Sequence, residues 1–264
     1  MKVLGKTLVV SGAGGGIGRE LVLALLSEGA RVAAVDINKD ALEETLLQAG
    51  KYSDRLSTHI VNLTEREEVE ALPEKVKEYH KEIDGIINNA GIIQPFVNIN
   101  DLDYEKIKLV MDINFYGTLY MTKTFLPYLL KRPEGHITNV SSMGGFLPVP
   151  GQSIYGASKA AVKLMTEGLH AELKDTNVKV TIVFPGGVNT NIMGNSGVDR
   201  NKNKDHNQQQ ASKLLTPKEA AAIIINGIEN DEYRVLAGKD SILMDKFYRF
   251  SPKRAAELIA KKMK

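Results

Sequence analysis

The sequence predicts an α/β fold, a doubly wound parallel sheet of about seven strands with helices on both faces, and three observations carry that prediction. Seven short β-branched runs alternate with longer helical patterns: Thr7 to Ser11, Arg31 to Val35, Leu56 to Val61, Gly85 to Asn88, His136 to Val140, Val178 to Phe184 and Arg234 to Leu236. Strands such as Leu8-Val9-Val10 and Val180-Thr181-Ile182-Val183 are apolar without alternation, as strands covered on both faces by crossover helices are. A glycine run follows the first strand directly and opens an apolar-periodic helix through Leu21, Leu25 and Leu26. No composition break divides the 264 residues, so one domain spanning 1–264 is expected, with a long loop at about 188–215 and a helical tail at about 241–264.

Two helices announce their starts with capping boxes, Thr64 with Glu67 and Thr216 with Glu219, the second with Pro217 at its first position. Pro73 falls inside the first of these helices and is expected to kink it, because it removes a hydrogen bond and clashes with the preceding turn. The segment Asn195 to Gln210 has Val198 as its one apolar residue and reads as a mobile loop. It fits a lid that orders on binding and a tolerated insertion about equally. The tail from Lys253 to Lys264 mixes Ala255, Leu258, Ile259 and Met263 with basic residues. Packing against the body or another subunit is favoured there over contact with an acidic membrane surface.

Composition excludes several classes of function. With 43% hydrophobic and 25% charged residues the chain can bury a substantial core. A formal charge of +2 leaves no electrostatic footprint for nucleic acid, so no nucleic-acid partner is expected. The absence of cysteine removes disulfides and thiolate chemistry, and the five histidines are scattered without an i, i+4 pair, so no metal site is expected. The N-terminus lacks the apolar region of a signal peptide, and the uncharged stretch from Gly135 to Ser158 is broken by Pro148, Pro150 and glycines. A cytoplasmic protein without an integral membrane segment is the expectation.

The run Gly12-Ala13-Gly14-Gly15-Gly16-Ile17-Gly18 sits where glycines let a chain turn sharply and offer backbone N–H groups to a pyrophosphate at a helix N-terminus. Its spacing is G-x-x-x-G-x-G, so the run alone does not separate a phosphate site from a plain turn. Asp36, at the end of the second strand and about 20 residues on, lies where an acid accepts from ribose hydroxyls. The same carboxylate repels a 2′-phosphate, and neither Gly15 nor Ile37 is basic, which favours NAD(H) over NADP(H). The competing role for Asp36 is to cap the helix that begins near Asn38.

Tyr155 and Lys159 stand four apart in the helical pattern Ser153 to Leu173 and share one helix face. A neighbouring ammonium stabilises a phenolate, and a fall of about three pH units in the phenol would take roughly 4 kcal/mol. A general acid/base near neutrality is the chemical use of such a pair. Tyr104 and Lys108 have the same spacing, so position must decide between the pairs. Tyr155 follows the fifth strand, whose carboxyl end carries Ser141 and Ser142, on the edge of an open α/β sheet where ligands bind.

Gly12, Gly16 and Gly18, then Asn88-Asn89-Ala90-Gly91, Ser142, Tyr155 with Lys159, and Pro185-Gly186 occur in the order of the short-chain dehydrogenase/reductase family. The chain resembles that family from about residue 5 to 240. The resemblance implies a Rossmann-type fold and NAD(H)-dependent interconversion of a secondary alcohol and a ketone or other carbonyl, with Tyr155 as acid/base. It further implies that Lys159 lowers the phenol's pKa and holds the nicotinamide ribose, that Ser142 binds the substrate oxygen, and that Asn114 helps hold a water leading from Lys159 to solvent. Gly12, Gly16, Ile17 and Gly18 would bind cofactor, Asn89, Ala90 and Gly91 would line the cofactor cleft, and Pro185, Val188 and Thr190 would close on the nicotinamide and pyrophosphate side. Asn62 and Leu63 would also bind cofactor; Asn62 stands where the family usually has an aspartate for the adenine amino group, and its carbonyl can still accept. The 188–215 loop would then meet substrate, and a homo-oligomer, tetramer or dimer, would form through the helices carrying Asn114 and Tyr155. Rival readings are an NADP-linked 3-oxoacyl-thioester reductase and a catalytically silent NAD-binding regulator.

Overall fold

The computed structural model describes residues 1–198 and 214–263. Most of the predicted loop Asn195 to Gln210 lies outside the described residues. Seven strands, β1 (Thr7–Ser11), β2 (Arg31–Asp36), β3 (Leu56–Ile60), β4 (Gly85–Asn88), β5 (Gly135–Val140), β6 (Val178–Pro185) and β7 (Arg234–Ala237), form one sheet in the order β3-β2-β1-β4-β5-β6-β7. Every pairing is parallel. The fold class expected from the apolar strands is therefore the one found. Strand order reverses between β1 and β4, and the crevice at the carboxyl ends there is where open sheets of this class take ligands.

Two cores sandwich the sheet. On one face Leu8, Val10, Val32 and Ala34 meet Leu21, Leu25 and Leu26 of α1 (Gly16–Ser27), Leu42 of α2 (Lys39–Ala49) and Ile224, Ile225 and Ile228 of the later helix Pro217–Glu229. On the other, Val9, Ala33, Val35, Ile86 and Ile137 meet Val69 of α3 (Arg66–Glu70), Val76 of α4 (Leu72–His80) and a helix carrying Met121, Phe125 and Leu129. Successive residues of β1 thus serve opposite cores, which is why Leu8, Val9 and Val10 are apolar without alternation. That last helix is α6 (Thr118–Leu129), joined to α5 (Tyr104–Met111) through a single π-helical turn, Asp112–Gly117. After β5 comes α7 (Ser153–Glu172), and after β6 a short helix α8 (Ile192–Asn195), then α9 (Pro217–Glu229), α10 (Lys239–Phe250) and α11 (Pro252–Lys262).

The capping box at Thr216 and Glu219 forms as expected, each residue's side chain accepting from the other's backbone N–H. The one at Thr64 and Glu67 does not. Thr64 instead donates through N–H and hydroxyl to Asn62 Oδ1 (3.1 and 2.9 Å), and α3 starts later, with Glu65 before it and no side-chain cap. Pro73 breaks the predicted helix rather than kinking it: α3 ends at Glu70, and Pro73 sits in the first turn of α4, where its missing N–H costs nothing. The tail packs on the body. Ala255 is fully buried and, with Met244 and Ile259, covers Met143, Phe146 and Leu147, the segment that follows β5.

Candidate functional site

At the switch point the ends of β1 and β4 are sewn together. Ser11 Oγ accepts from the N–H groups of Asn89 (3.1 Å) and Ala90 (3.2 Å), while Asn89 Nδ2 donates to the Ser11 carbonyl (3.1 Å). The glycine turn that follows is packed too tightly for a side chain at Gly12 and Gly18. A Cβ on Gly18 would fall 1.9 Å from the Gly12 carbonyl oxygen, and one on Gly12, whose φ is +66°, would lie 2.8 Å from Ala90 Cα. Gly15 faces open space, and a Cβ on Gly16 would lie 3.4 Å from the Thr190 methyl, so the segment after β6 overhangs the turn. Ile17 packs against the first core and anchors α1. A dinucleotide fits this donor-rich, Cβ-free cradle at the head of a helix.

Asp36 braces the turn from the second strand. Its Oδ2 accepts from Gly14 N (2.8 Å) and its Oδ1 from Asn38 N (3.0 Å). Helix α2 is capped by Asn38, which accepts from Ala41 N at 3.0 Å, so Asp36 is not the cap. Arg19 holds the same turn from behind, donating to the Gly14 and Ala41 carbonyls and to Thr45 Oγ1. Ile37, next to Asp36, is exposed and uncharged. Asn62 uses its side-chain carbonyl to close a local turn with Thr64, and Leu63 is buried against Gly117 and the second core.

Ser142, Tyr155 and Lys159 converge at the carboxyl end of β5. Ser142 Oγ accepts from Gly144 N (3.0 Å), and a Cβ on Gly144 would lie 3.4 Å from Tyr155 Cε1 and 3.5 Å from Ser142 Oγ, so ring and hydroxyl flank one glycine. Lys159 is buried and donates to the Val140 carbonyl at 3.0 Å. A Cβ on Gly91 would come within 3.0 Å of Lys159 Nζ and 3.2 Å of Asn114 Oδ1, which places that glycine over both groups. Burial lowers the Lys159 ammonium from its ordinary 10.5 to about 8. Burial also raises the Tyr155 phenol, opposed by the Ser142 hydroxyl. The phenol is thus shifted opposite to the direction expected from the four-residue spacing, because desolvation dominates. The rival pair is set aside by position: Tyr104 is 85% exposed and Lys108 pairs with Asp112.

Asn114 projects from the π-helical turn and is fully buried. Its amide accepts from Ile92 N (2.9 Å) and donates to the Ile92 carbonyl (3.0 Å) and to Ser158 Oγ (2.9 Å). Ser158 Oγ in turn donates to the Tyr155 carbonyl at 2.7 Å. Beyond β6, Gly186 N donates to the Ala237 carbonyl (2.9 Å), and Val188 bridges to Leu215. Sequence reasoning missed Asp240 here. Its Oδ2 accepts from Gly187 N (2.7 Å), and a Cβ on Gly186 would lie 2.2 Å from its Oδ1, so α10 buttresses the turn that leads from Pro185 to Thr190. No local pattern marks an aspartate that acts across 53 residues.

Among the described residues no group of three or more His, Asp or Glu is placed to hold a metal, and no helix is long and apolar enough to cross a membrane. A family model described as short chain dehydrogenase matches residues 6–201. A Mycobacterium tuberculosis protein that carries the name oxidoreductase SadH is 33% identical over 261 residues, covering 97% of this chain and 94% of that one. Among solved structures, a short-chain dehydrogenase/reductase from Burkholderia phymatum in complex with NAD has a TM-score of 0.86 at 22% identity, covering 96% of each chain. One from Burkholderia cenocepacia in complex with NADP has a TM-score of 0.81 at 26% identity, covering 98% of this chain and 99% of that one. With its parallel sheet, its glycine cradle and these likenesses, the chain belongs to the short-chain dehydrogenase/reductase family of nicotinamide-dependent oxidoreductases.

Proposed function

We propose that this chain, as one cofactor-binding domain, is an NAD(H)-dependent dehydrogenase that interconverts a secondary alcohol and a ketone, with Tyr155 as general acid/base. The observation that carries the reading is the convergence of Ser142, Tyr155 and Lys159 on one end of β5, facing a glycine cradle braced by Asp36. A bound nicotinamide would supply or accept the hydride. In reduction, Ser142 donates a hydrogen bond to the carbonyl oxygen while Tyr155 releases its proton to that oxygen as hydride reaches the carbon. In oxidation the phenolate takes the hydroxyl proton as hydride leaves the same carbon. Lys159 holds the nicotinamide ribose, and its ammonium, already softened to about 8, can pass a proton toward the Asn114 side of the site. Gly12, Gly16, Gly18, Asn89, Ala90 and Gly91 line the dinucleotide cleft, with Pro185, Val188 and Thr190 across from them.

The preference for NAD(H) rests on Asp36 at the ribose position and on the lack of a basic side chain at Gly15 and Ile37. Arg19 lies close by, but its guanidinium is spent on backbone carbonyls and Thr45. Exposed Leu109, Tyr116 and Leu164 on α5, the π-turn and α7 support a homo-oligomer, dimer or tetramer, through those helices. The deciding experiment is an assay of secondary alcohols and ketones with NAD(H) and NADP(H) in parallel, with a 3-oxoacyl thioester as one substrate. Turnover with NAD(H) and simple alcohols is expected. Turnover confined to NADP(H) and the thioester would replace this reading, and cofactor binding with no turnover of any substrate would make the chain a silent regulator.

A further inference from the structure

Helix α7 begins at Ser153, and the residue before it, Gln152, places no side chain on the orphan N–H groups of the first turn. Two of those groups, on Ile154 and Tyr155, are satisfied from 60 and 61 residues away. Gln94, fully buried in the segment after β4, aims Oε1 at Ile154 N (2.8 Å) and Tyr155 N (2.9 Å). The orientation of its amide is fixed by its partners, since Nε2 donates to the Gly151 carbonyl at 2.9 Å and a flipped amide would oppose N–H to N–H. The Gln94 carbonyl accepts from Gln152 Nε2 at 2.8 Å, so the contact is doubled. One side chain thus does, across the fold, what a local cap does for the second and third residues of a helix.

The third residue is Tyr155. Its backbone N–H is held by Gln94 and its carbonyl by Ser158, which receives Asn114, while Asn114 also grips Ile92 two residues before Gln94. The ring of bonds Gln94, Tyr155, Ser158, Asn114, Ile92 closes on itself and ties the end of β4 to the first turn of α7. We infer that Gln94 is a positioning residue for Tyr155: it sets where the ring stands beside Ser142 and Gly144, without touching substrate. The inference rests on Tyr155 being the acid/base.

The test compares wild type, Gln94→Leu and Gln94→Glu. Removing the acceptor in Gln94→Leu should lower kcat by about tenfold or more, since small displacements of a catalytic group are costly, while NADH affinity and substrate KM stay within about twofold. The phenol's ionisation, read by ultraviolet difference titration against Tyr155→Phe, should shift in the same variant. Gln94→Glu keeps an oxygen in place of Oε1 and, when protonated, can still donate to the Gly151 carbonyl, so it should recover most of the lost kcat at pH values where that buried acid stays neutral. Wild-type kcat and an unmoved phenol in Gln94→Leu would overturn the inference, as would parallel loss of turnover and NADH binding, or a folded Gln94→Glu as slow as the leucine variant at those pH values. If Gln94→Leu does not fold, hydrogen exchange in the wild type decides: Ile154 and Tyr155 amides exchanging as fast as that of Ser153 would overturn it. A wild type without turnover would sink the proposed dehydrogenase activity, and the titration and exchange arms would still report on Gln94.

Discussion

Asn114 Nδ2 lies 2.9 Å from Ser158 Oγ, and that hydroxyl donates onward to the Tyr155 carbonyl. A buried amide on one helix therefore holds the backbone of Tyr155, the proposed acid/base, on another. Asn114→Ala leaves the partly buried Ile92 N–H and C=O without their side-chain partner and should cost about 1 kcal/mol of stability. Chemical denaturation measures that cost, and turnover should fall as well, because the Tyr155 turn loses one of its two supports. A variant as stable and as active as wild type would contradict the role.

Tyr155→Phe removes one oxygen from a partly buried ring and should leave the fold and NADH binding intact while turnover falls about 100- to 10,000-fold. Ser142→Ala should reduce it less, since the hydroxyl orients the substrate oxygen but carries no net proton. Stopped-flow fluorescence of bound NADH separates binding from chemistry in both variants. Persistence of turnover in Tyr155→Phe would remove the central assignment.

Asp36→Asn keeps an acceptor for Gly14 N but loses the negative charge and the bond from Asn38 N. The ratio of NAD to NADP affinity should fall by about tenfold, corresponding to about 1.4 kcal/mol of relieved repulsion against a 2′-phosphate. Isothermal titration with each cofactor checks it. An unchanged ratio would place cofactor choice elsewhere.

Lys159 gives a stability prediction with a definite sign. Its folded-state value is lowered to about 8 from 10.5 by burial, so near neutrality both folded and unfolded chains carry the proton and the folded one bears the desolvation cost. As pH rises from about 8 toward 10.5, the folded state sheds the proton first and the penalty is relieved. Lys159→Met should therefore stabilise the protein near neutrality by up to about 3 kcal/mol, less the lost bond to Val140, with the gain shrinking as pH rises. Thermal melts at neutral and alkaline pH read this, and a variant less stable than wild type at neutral pH would refute it. Catalysis should be lost in the same variant.

The features legible in the sequence were those written locally. The seven strands, the turn from Gly12 to Gly18, Asp36 at a strand end, and the four-residue step from Tyr155 to Lys159 depend on neighbours within a turn or a strand, where periodicity and spacing speak directly. What escaped depends on contacts between distant segments. Gln94 reaches Tyr155 across 61 residues and Asp240 reaches Gly187 across 53, and nothing near either residue marks it. The direction of the phenol's shift is likewise not written in the four-residue spacing, because it is set by burial, which only the packed fold determines. Even a local signal can lose to a closer competitor, as when Asn62 took the Thr64 hydroxyl that the capping pattern assigned to the helix.

The π-helical stretch Asp112–Gly117 works as a phase shifter between two helices that would otherwise be one rod. An extra residue in a helical turn rotates everything after it by about 100°. Upstream, Tyr104 and Leu109 can face solvent; downstream, Met121, Phe125 and Leu129 face the sheet, and Asn114 sits at the seam with its amide inward. Shortening that seam by one residue would swing the lower rod's oily stripe away from its strands, so the count of residues joining the two helices is fixed by the sheet that the second one must cover.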